Sequence, residues 1–164
     1  FMTIKEKKKT LKGLKIAWIG DGNNVCNSMI YGAALSGAKM SIATPKGFEP
    51  DKSTVKVSQN LTDIELTTDP LKAAENADVV VTDTYSSIHN NDSKRIKKFI
   101  PKYQVNDKIM DLAKKNAIFL HCLPAKRDQE VTSSVIDGPQ SVVWDEAENR
   151  LHTQKALLCA LLHA

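Results

Sequence analysis

The sequence predicts an α/β fold, a doubly wound and mainly parallel sheet with helices on both faces. Three observations carry this. Short apolar runs alternate with segments of helical spacing along nearly the whole chain. One run, Asp78-Val79-Val80-Val81-Thr82-Asp83, is continuously β-branched at its centre, which suits a strand covered on both faces. The runs are separated by Gly, Pro, Asn and Asp, the residues that break regular pairing.

Taken in order, residues 1–13 are polar and lysine-rich and read as a linker or a frayed helix. Lys15–Ile19 reads as the first strand, ending in Gly20-Asp21-Gly22-Asn23-Asn24, and Val25 to Ser36 as a helix carrying Met29, Ile30, Ala33, Ala34 and Leu35. Met40–Ala43 is a second strand, stopped by Thr44-Pro45-Lys46-Gly47. Residues 51–60 suit a short helix and Glu65–Thr67 a weak strand. Asp69-Pro70 opens a helix running to about Ala77, because Asp caps free amides and Pro suits the first turn. After the strand at 78–83 and a polar loop at 84–93, a helix is expected from Asn106 to Asn116 and a strand at Ala117–Leu120. Ser141–Trp144 reads as a last strand and 145–163 as the final helix.

The 164 residues fit one ordinary domain, large enough to need no metal or disulfide. Hydrophobic residues at 41% and charged residues at 26% match a soluble globular chain. The three cysteines, Cys26, Cys122 and Cys159, are odd in number and far apart, which argues for a reducing, cytoplasmic setting. No CxxC or HxxxH pair suggests zinc, no apolar run reaches the roughly 20 residues of a membrane span, and no signal peptide is evident. The net charge is +4, with lysines grouped at Lys5, Lys7, Lys8, Lys9 and Lys12 and again, with Arg95, at Lys94, Lys97, Lys98 and Lys102. With aromatics at 5% and none among the first group, these clusters read as solvated faces rather than a nucleic-acid surface.

In parallel sheets of this kind, ligands bind beyond the carboxyl ends of the strands. Four polar clusters fall there: Asp21–Asn24, Asp83–His89, His121–Pro124 and Glu146–Arg150. A dinucleotide site needs Gly-x-Gly-x-x-Gly and an acid about 20 positions later. Gly20 and Gly22 fit, but Val25 replaces the third glycine and Ala43-Thr44-Pro45 carries no acid. The glycines follow from a tight turn, whereas Asn23 and Asn24 would point amides into the crevice. No cofactor is called for.

These clusters, with Ala43-Thr44-Pro45-Lys46-Gly47-Phe48-Glu49-Pro50, resemble the signatures of the carbamoyltransferases, most closely ornithine carbamoyltransferase. The matching segments are Leu14 to Asn24, residues 43–50, Asp83-Thr84-Tyr85-Ser86-Ser87, His121-Cys122-Leu123-Pro124 and Glu146-Ala147-Glu148-Asn149-Arg150. The resemblance implies an ornithine-binding domain at 14–164, with 1–13 the remnant of a linker. It implies that Asn24, Asp83, Ser87 and Ile88 hold L-ornithine, Ile88 through its backbone. Cys122 would sit beside the reacting δ-amine and help place or deprotonate it. The Leu123 carbonyl would accept from the carbamoyl NH2 of carbamoyl phosphate, before a cis Leu123-Pro124 bond. Arg150 would stabilise charge on the carbamoyl oxygen. His121 is assigned no role.

Plainer explanations exist for each. A cysteine after an apolar strand usually packs inertly, an arginine near a helix start is usually a surface residue, and Asp83 could simply cap a loop. Cys26, Cys159, His152 and His163 are taken as structural. Leu157, Leu158, Leu161 and Leu162 form an apolar helix face expected to dock against another domain.

The family's phosphate-gripping Ser-x-Arg-Thr-Arg and its His-Pro-x-Gln motif do not occur here, and Phe1-Met2-Thr3-Ile4-Lys5-Glu6 resembles the sequence just after the latter. The expectation is therefore part of a longer enzyme, a homotrimer or a multiple of one, whose N-terminal domain binds carbamoyl phosphate. Ser87-Ile88-His89 replaces the family's Ser-Met-Gly. That leaves open a relative acting on putrescine or an acylated ornithine, or an amino-acid-binding module without chemistry.

Overall fold

The computed structural model of the chain describes residues 1–85 and 93–163. Five strands, β1 (Lys15–Ile19), β2 (Lys39–Ala43), β3 (Ile64–Thr67), β4 (Val79–Thr82) and β5 (Ile118–His121), form one sheet in the order β3-β2-β1-β4-β5. Every pair is parallel: Trp18 lies opposite Ile42 on one side and Val81 on the other, and Thr82 opposite His121. The doubly wound parallel sheet predicted from the alternating pattern is what forms. β1 and β4 are neighbours but not consecutive, so the winding reverses between them, and a crevice opens at their carboxyl ends.

The apolar runs are continuous because both faces of the sheet are covered. Ala17 and Ile19 enter one core with Val80, Phe119 and the alanines of α4 (Pro70–Ala74), together with Ile109 and Met110 of α6 (Asp107–Leu112). Ile16 and Trp18 enter the other, with Cys26 and Ile30 of α2 (Asn24–Ser36) and Val55 of α3 (Lys52–Ser58). Trp18, fully buried, satisfies its indole N–H on the Asp21 carbonyl at 2.9 Å.

Side-chain caps set four of the helix starts. Asn23 Oδ1 accepts from the Cys26 amide, Asp51 from Thr54, Asp69 from Leu71 and Asn106 from Ile109. One-turn helices α5 (Ser93–Ile96) and α7 (Ser133–Ile136) complete the body.

Two expectations change, and of the linker or frayed helix expected at the start a helix forms. Residues 2–8 form a helix, α1 (Met2–Lys8), with Thr3 and Ile4 buried. The helix after Asn106 ends at Leu112 rather than Asn116. Ser141–Trp144 is not a strand: Ser141 makes one isolated bridge to Phe119, and α8 (Val143–Leu162) begins two residues later. Val142 and Val143 are buried, as a strand reading requires, but they enter opposite cores as the chain turns into the helix. α8 is tied to α1 by Asn149, whose amide donates to Thr3 and Glu6, and by a Lys7–Asp145 ion pair. Leu151, Leu157, Leu158, Leu161 and Leu162 are all exposed. Among the described residues no helix is long and apolar enough to cross a membrane.

Candidate active site

The site lies at the crevice where the winding reverses. Asp21 follows β1, Asp83 follows β4 and Cys122 follows β5. The turn after β1 must pass close to the 48–50 segment: Gly22 N–H donates to the Phe48 carbonyl at 2.8 Å, and a Cβ on Gly22 would lie 2.2 Å from the Pro50 nitrogen. Backbone atoms cannot yield as a side chain would, so position 22 admits glycine alone. That approach aims Asn23 and Asn24 at the crevice.

Asp83 is the hub. Its Oδ1 accepts from the Thr84 amide at 2.7 Å and from the Cys122 thiol at 3.2 Å, and its Oδ2 from Asn23 Nδ2 at 2.7 Å. Three of the four sequence clusters thus meet on one carboxylate. The fourth joins through Glu146, whose Oε2 accepts from the His121 amide at 3.0 Å. Burial, then the negative Asp83 beside it, pushes the Cys122 thiol from 9.0 up to about 12. At neutral pH the sulfur is therefore a protonated donor. Burial also pushes the Glu146 carboxyl up.

His121 is fully buried, as is Glu130, whose Oε1 stands 3.2 Å from Nε2. The Leu123 amide donates to Nδ1 at 2.9 Å. That bond makes Nδ1 an acceptor, so the ring proton is placed on Nε2 and given to Glu130. Leu123 sits at φ 54°, before a cis bond to Pro124. Asp83, His121 and Cys122 offer donor atoms within 4.8 Å of one another, but a cation there would compete with the bonds of both imidazole nitrogens.

Arg150 projects from α8 into a groove lined by Cys122, Leu123, Pro124, Ala147, Leu151 and Gln154. It is exposed and makes no ion pair among the described residues. A second pocket is lined by Asp21, Asn23, Asn24, Asp83, Thr84, Tyr85 and Arg95. Of the residues singled out in the sequence, Asn24, Asp83, Cys122, Leu123 and Arg150 thus line two adjoining recesses, whereas Ser87 and Ile88 lie outside the described residues. Arg95 corrects the reading of its cluster as a solvated face: it pairs with Asp21, donates to the Tyr85 carbonyl at 3.0 Å and covers the Phe48 ring at 4.8 Å. Glu130 and Glu146 were not singled out as site residues. Glu146 lay within a recognised motif, whereas Glu130, in a loop without periodicity, gave no signal.

The sheet order and a crevice carrying an acid, two amides and a thiol, in place of a glycine-rich phosphate loop, define a doubly wound α/β domain with a polar crevice at its switch point. Residues 12–161 match the family model for the aspartate/ornithine carbamoyltransferase Asp/Orn binding domain, and the chain belongs to that family. It is 62% identical over 160 residues to an ornithine carbamoyltransferase of Cenarchaeum symbiosum, covering 98% of this chain and 53% of that protein. For the Carboxydothermus hydrogenoformans enzyme of the same name the values are 52%, 98% and 54%. The crystal structure of ornithine carbamoyltransferase from Pyrococcus furiosus superposes with a TM-score of 0.90 at 48% identity, over 96% of this chain and 52% of that one. The Thermus thermophilus structure gives 0.89 at 43%, over 98% and 52%. The chain spans about half the length of the curated relatives it matches.

Proposed function

We propose that this chain is the amino-acid-binding half of an ornithine carbamoyltransferase, which converts carbamoyl phosphate and L-ornithine to L-citrulline and phosphate. The observation that carries the reading is Asp83, buried at the end of β4 and bonded at once to Asn23 and to the Cys122 thiol. It puts a carboxylate for an ammonium beside a sulfur that can accept from the N–H of a reacting amine.

In this reading Asp83, Asn24, Ser87 and the backbone of Ile88 hold the α-ammonium and α-carboxylate. The δ-amine lies at Cys122, the Leu123 carbonyl accepts from the carbamoyl NH2, and Arg150 faces the carbamoyl oxygen. The neutral δ-nitrogen attacks the carbamoyl carbon and the C–O bond to phosphate breaks. One amine proton leaves with the phosphate as HPO4²⁻. A thiol held protonated up to about pH 12 places the amine and does not deprotonate it. Most of the rate comes from orienting two substrates and stabilising the oxyanion.

The carbamoyl-phosphate grip belongs to an N-terminal half of the same enzyme, against which the exposed leucines of α8 dock. The assembled protein is a homotrimer or a multiple of one, in the cytoplasm, serving arginine biosynthesis or breakdown. The test is carbamoylation of ornithine, putrescine and N-acetylornithine by the full-length protein carrying this chain. Citrulline from ornithine is expected; carbamoylation of another amine with none of ornithine refutes the assignment. The 164-residue chain alone is expected to form no citrulline, and measurable product from it overturns that part.

A further inference from the structure

Among the described residues lining the pocket beside Asp83, three are charged: Asp21, Asp83 and Arg95. Asp21 and Arg95 form an ion pair with side chains 13% and 30% exposed. The pair is held from several sides. The Asp21 backbone takes the Trp18 indole N–H, and Arg95 donates through Nε to the Tyr85 carbonyl while its guanidinium covers Phe48. Nothing in the reaction proposed above uses either residue.

We propose that the Asp21–Arg95 pair sets the net charge of the amino-acid pocket and thereby selects an amino-acid zwitterion over a simple diamine; this rests on the ornithine reading above. Among the described lining residues the charges of Asp21 and Arg95 cancel, leaving −1 from Asp83. Ornithine presents an ammonium and a carboxylate at its α-carbon. Putrescine, the same carbon chain without the carboxylate, presents only an amine at each end. A pocket at −1 matches the ammonium without expelling the carboxylate beside it. At −2 it would repel the carboxylate and draw in the second amine, and at zero it would favour the zwitterion further. Burial raises the Asp21 carboxyl, Arg95 holds it down, and the nearby Asp83 charge adds to the rise, so the two acids and the arginine sense one another.

The test compares kcat/KM for ornithine and putrescine, with carbamoyl phosphate, in the full-length protein carrying this chain. Counting the described lining residues, Arg95→Gln takes the pocket to −2 at a pH where both acids stay ionised, Asp21→Asn takes it to zero, and the double variant D21N/R95Q returns it to −1. The putrescine-to-ornithine ratio should rise about tenfold in R95Q, fall about tenfold in D21N and return near its starting value in the double variant. Tenfold is a modest share of what one unit charge exerts a few ångströms away at an effective dielectric of about 20. A packing defect moves the ratio in R95Q and in the double variant alike, and that result overturns the proposal. So does an unmoved ratio in a protein that carbamoylates ornithine. If R95Q does not fold, D21N decides by the direction of its shift. A starting protein that does not carbamoylate ornithine fails the functional reading itself, and this inference with it.

Discussion

The protonation of Cys122 can be tested directly. Its thiol is shifted from 9.0 to about 12, and only the thiolate alkylates readily. Three decades separate those values, so at any pH well below both, the thiolate is about a thousandfold scarcer than for an ordinary cysteine. Labelling with iodoacetamide, followed peptide by peptide in a mass spectrometer, separates the three thiols. Cys159 is exposed and serves as the accessible comparison, while Cys26 is buried and pushed up still further. The Cys122 rate should climb tenfold per pH unit through about pH 10.5 without a plateau. Asp83→Asn removes the negative neighbour and the acceptor together, so the midpoint should move down. It should stay above 9, because burial is the larger cause. A plateau with its midpoint near 9 in the unaltered protein would refute the reasoning and restore the sulfur as a base. An Asp83→Asn midpoint of 9 would show that charge, not burial, holds the proton.

Gly22→Ala should cost about 2–3 kcal/mol in urea unfolding, because its Cβ meets backbone at 2.2 to 2.6 Å; a loss under about 0.5 kcal/mol would mean the 48–50 segment is free to retreat. Glu146→Gln keeps an acceptor for the His121 amide and removes a carboxylate that burial disfavours. The raised carboxyl weakens the fold as pH climbs from 4.5 through the folded-state value, so Gln should raise Tm at pH 7 and give no gain near pH 3.5. Equal gain at both pH values would assign it to something other than the charge. Arg150→Met should change stability by less than about 0.5 kcal/mol, since the side chain is exposed, yet lower kcat of the full-length protein about a hundredfold or more. Retained turnover would remove Arg150 from the oxyanion role.

Much of this was legible in the chain itself, and for physical reasons. Val79–Val81 and Ile16–Ile19 declare strands because burial on both faces demands unbroken apolar runs. The same logic misread Ser141–Trp144, since a run buried by two cores looks alike whether it extends or turns into a helix. The site was legible where position in the topology fixes it, at the tips of β1, β4 and β5. It was opaque where pairing depends on distant loops. Arg95 lies 74 residues from its partner Asp21 and in a run of exposed lysines that masks it. Asn23 rather than Asn24 bonds Asp83: its Oδ1 caps α2 on the Cys26 amide while its Nδ2 donates to the carboxylate.

The bonding around Asp83 constrains how tightly any amine can be held there. A carboxylate accepts about four hydrogen bonds, and among the described residues Asn23, Thr84 and Cys122 already supply three. An arriving ammonium gains one bond or trades places with a neighbour, so its reception is closer to a substitution than to an addition. Selection at Asp83 then depends on whether the guest carries positive charge, and retention has to come from contacts made elsewhere, after the guest is seated.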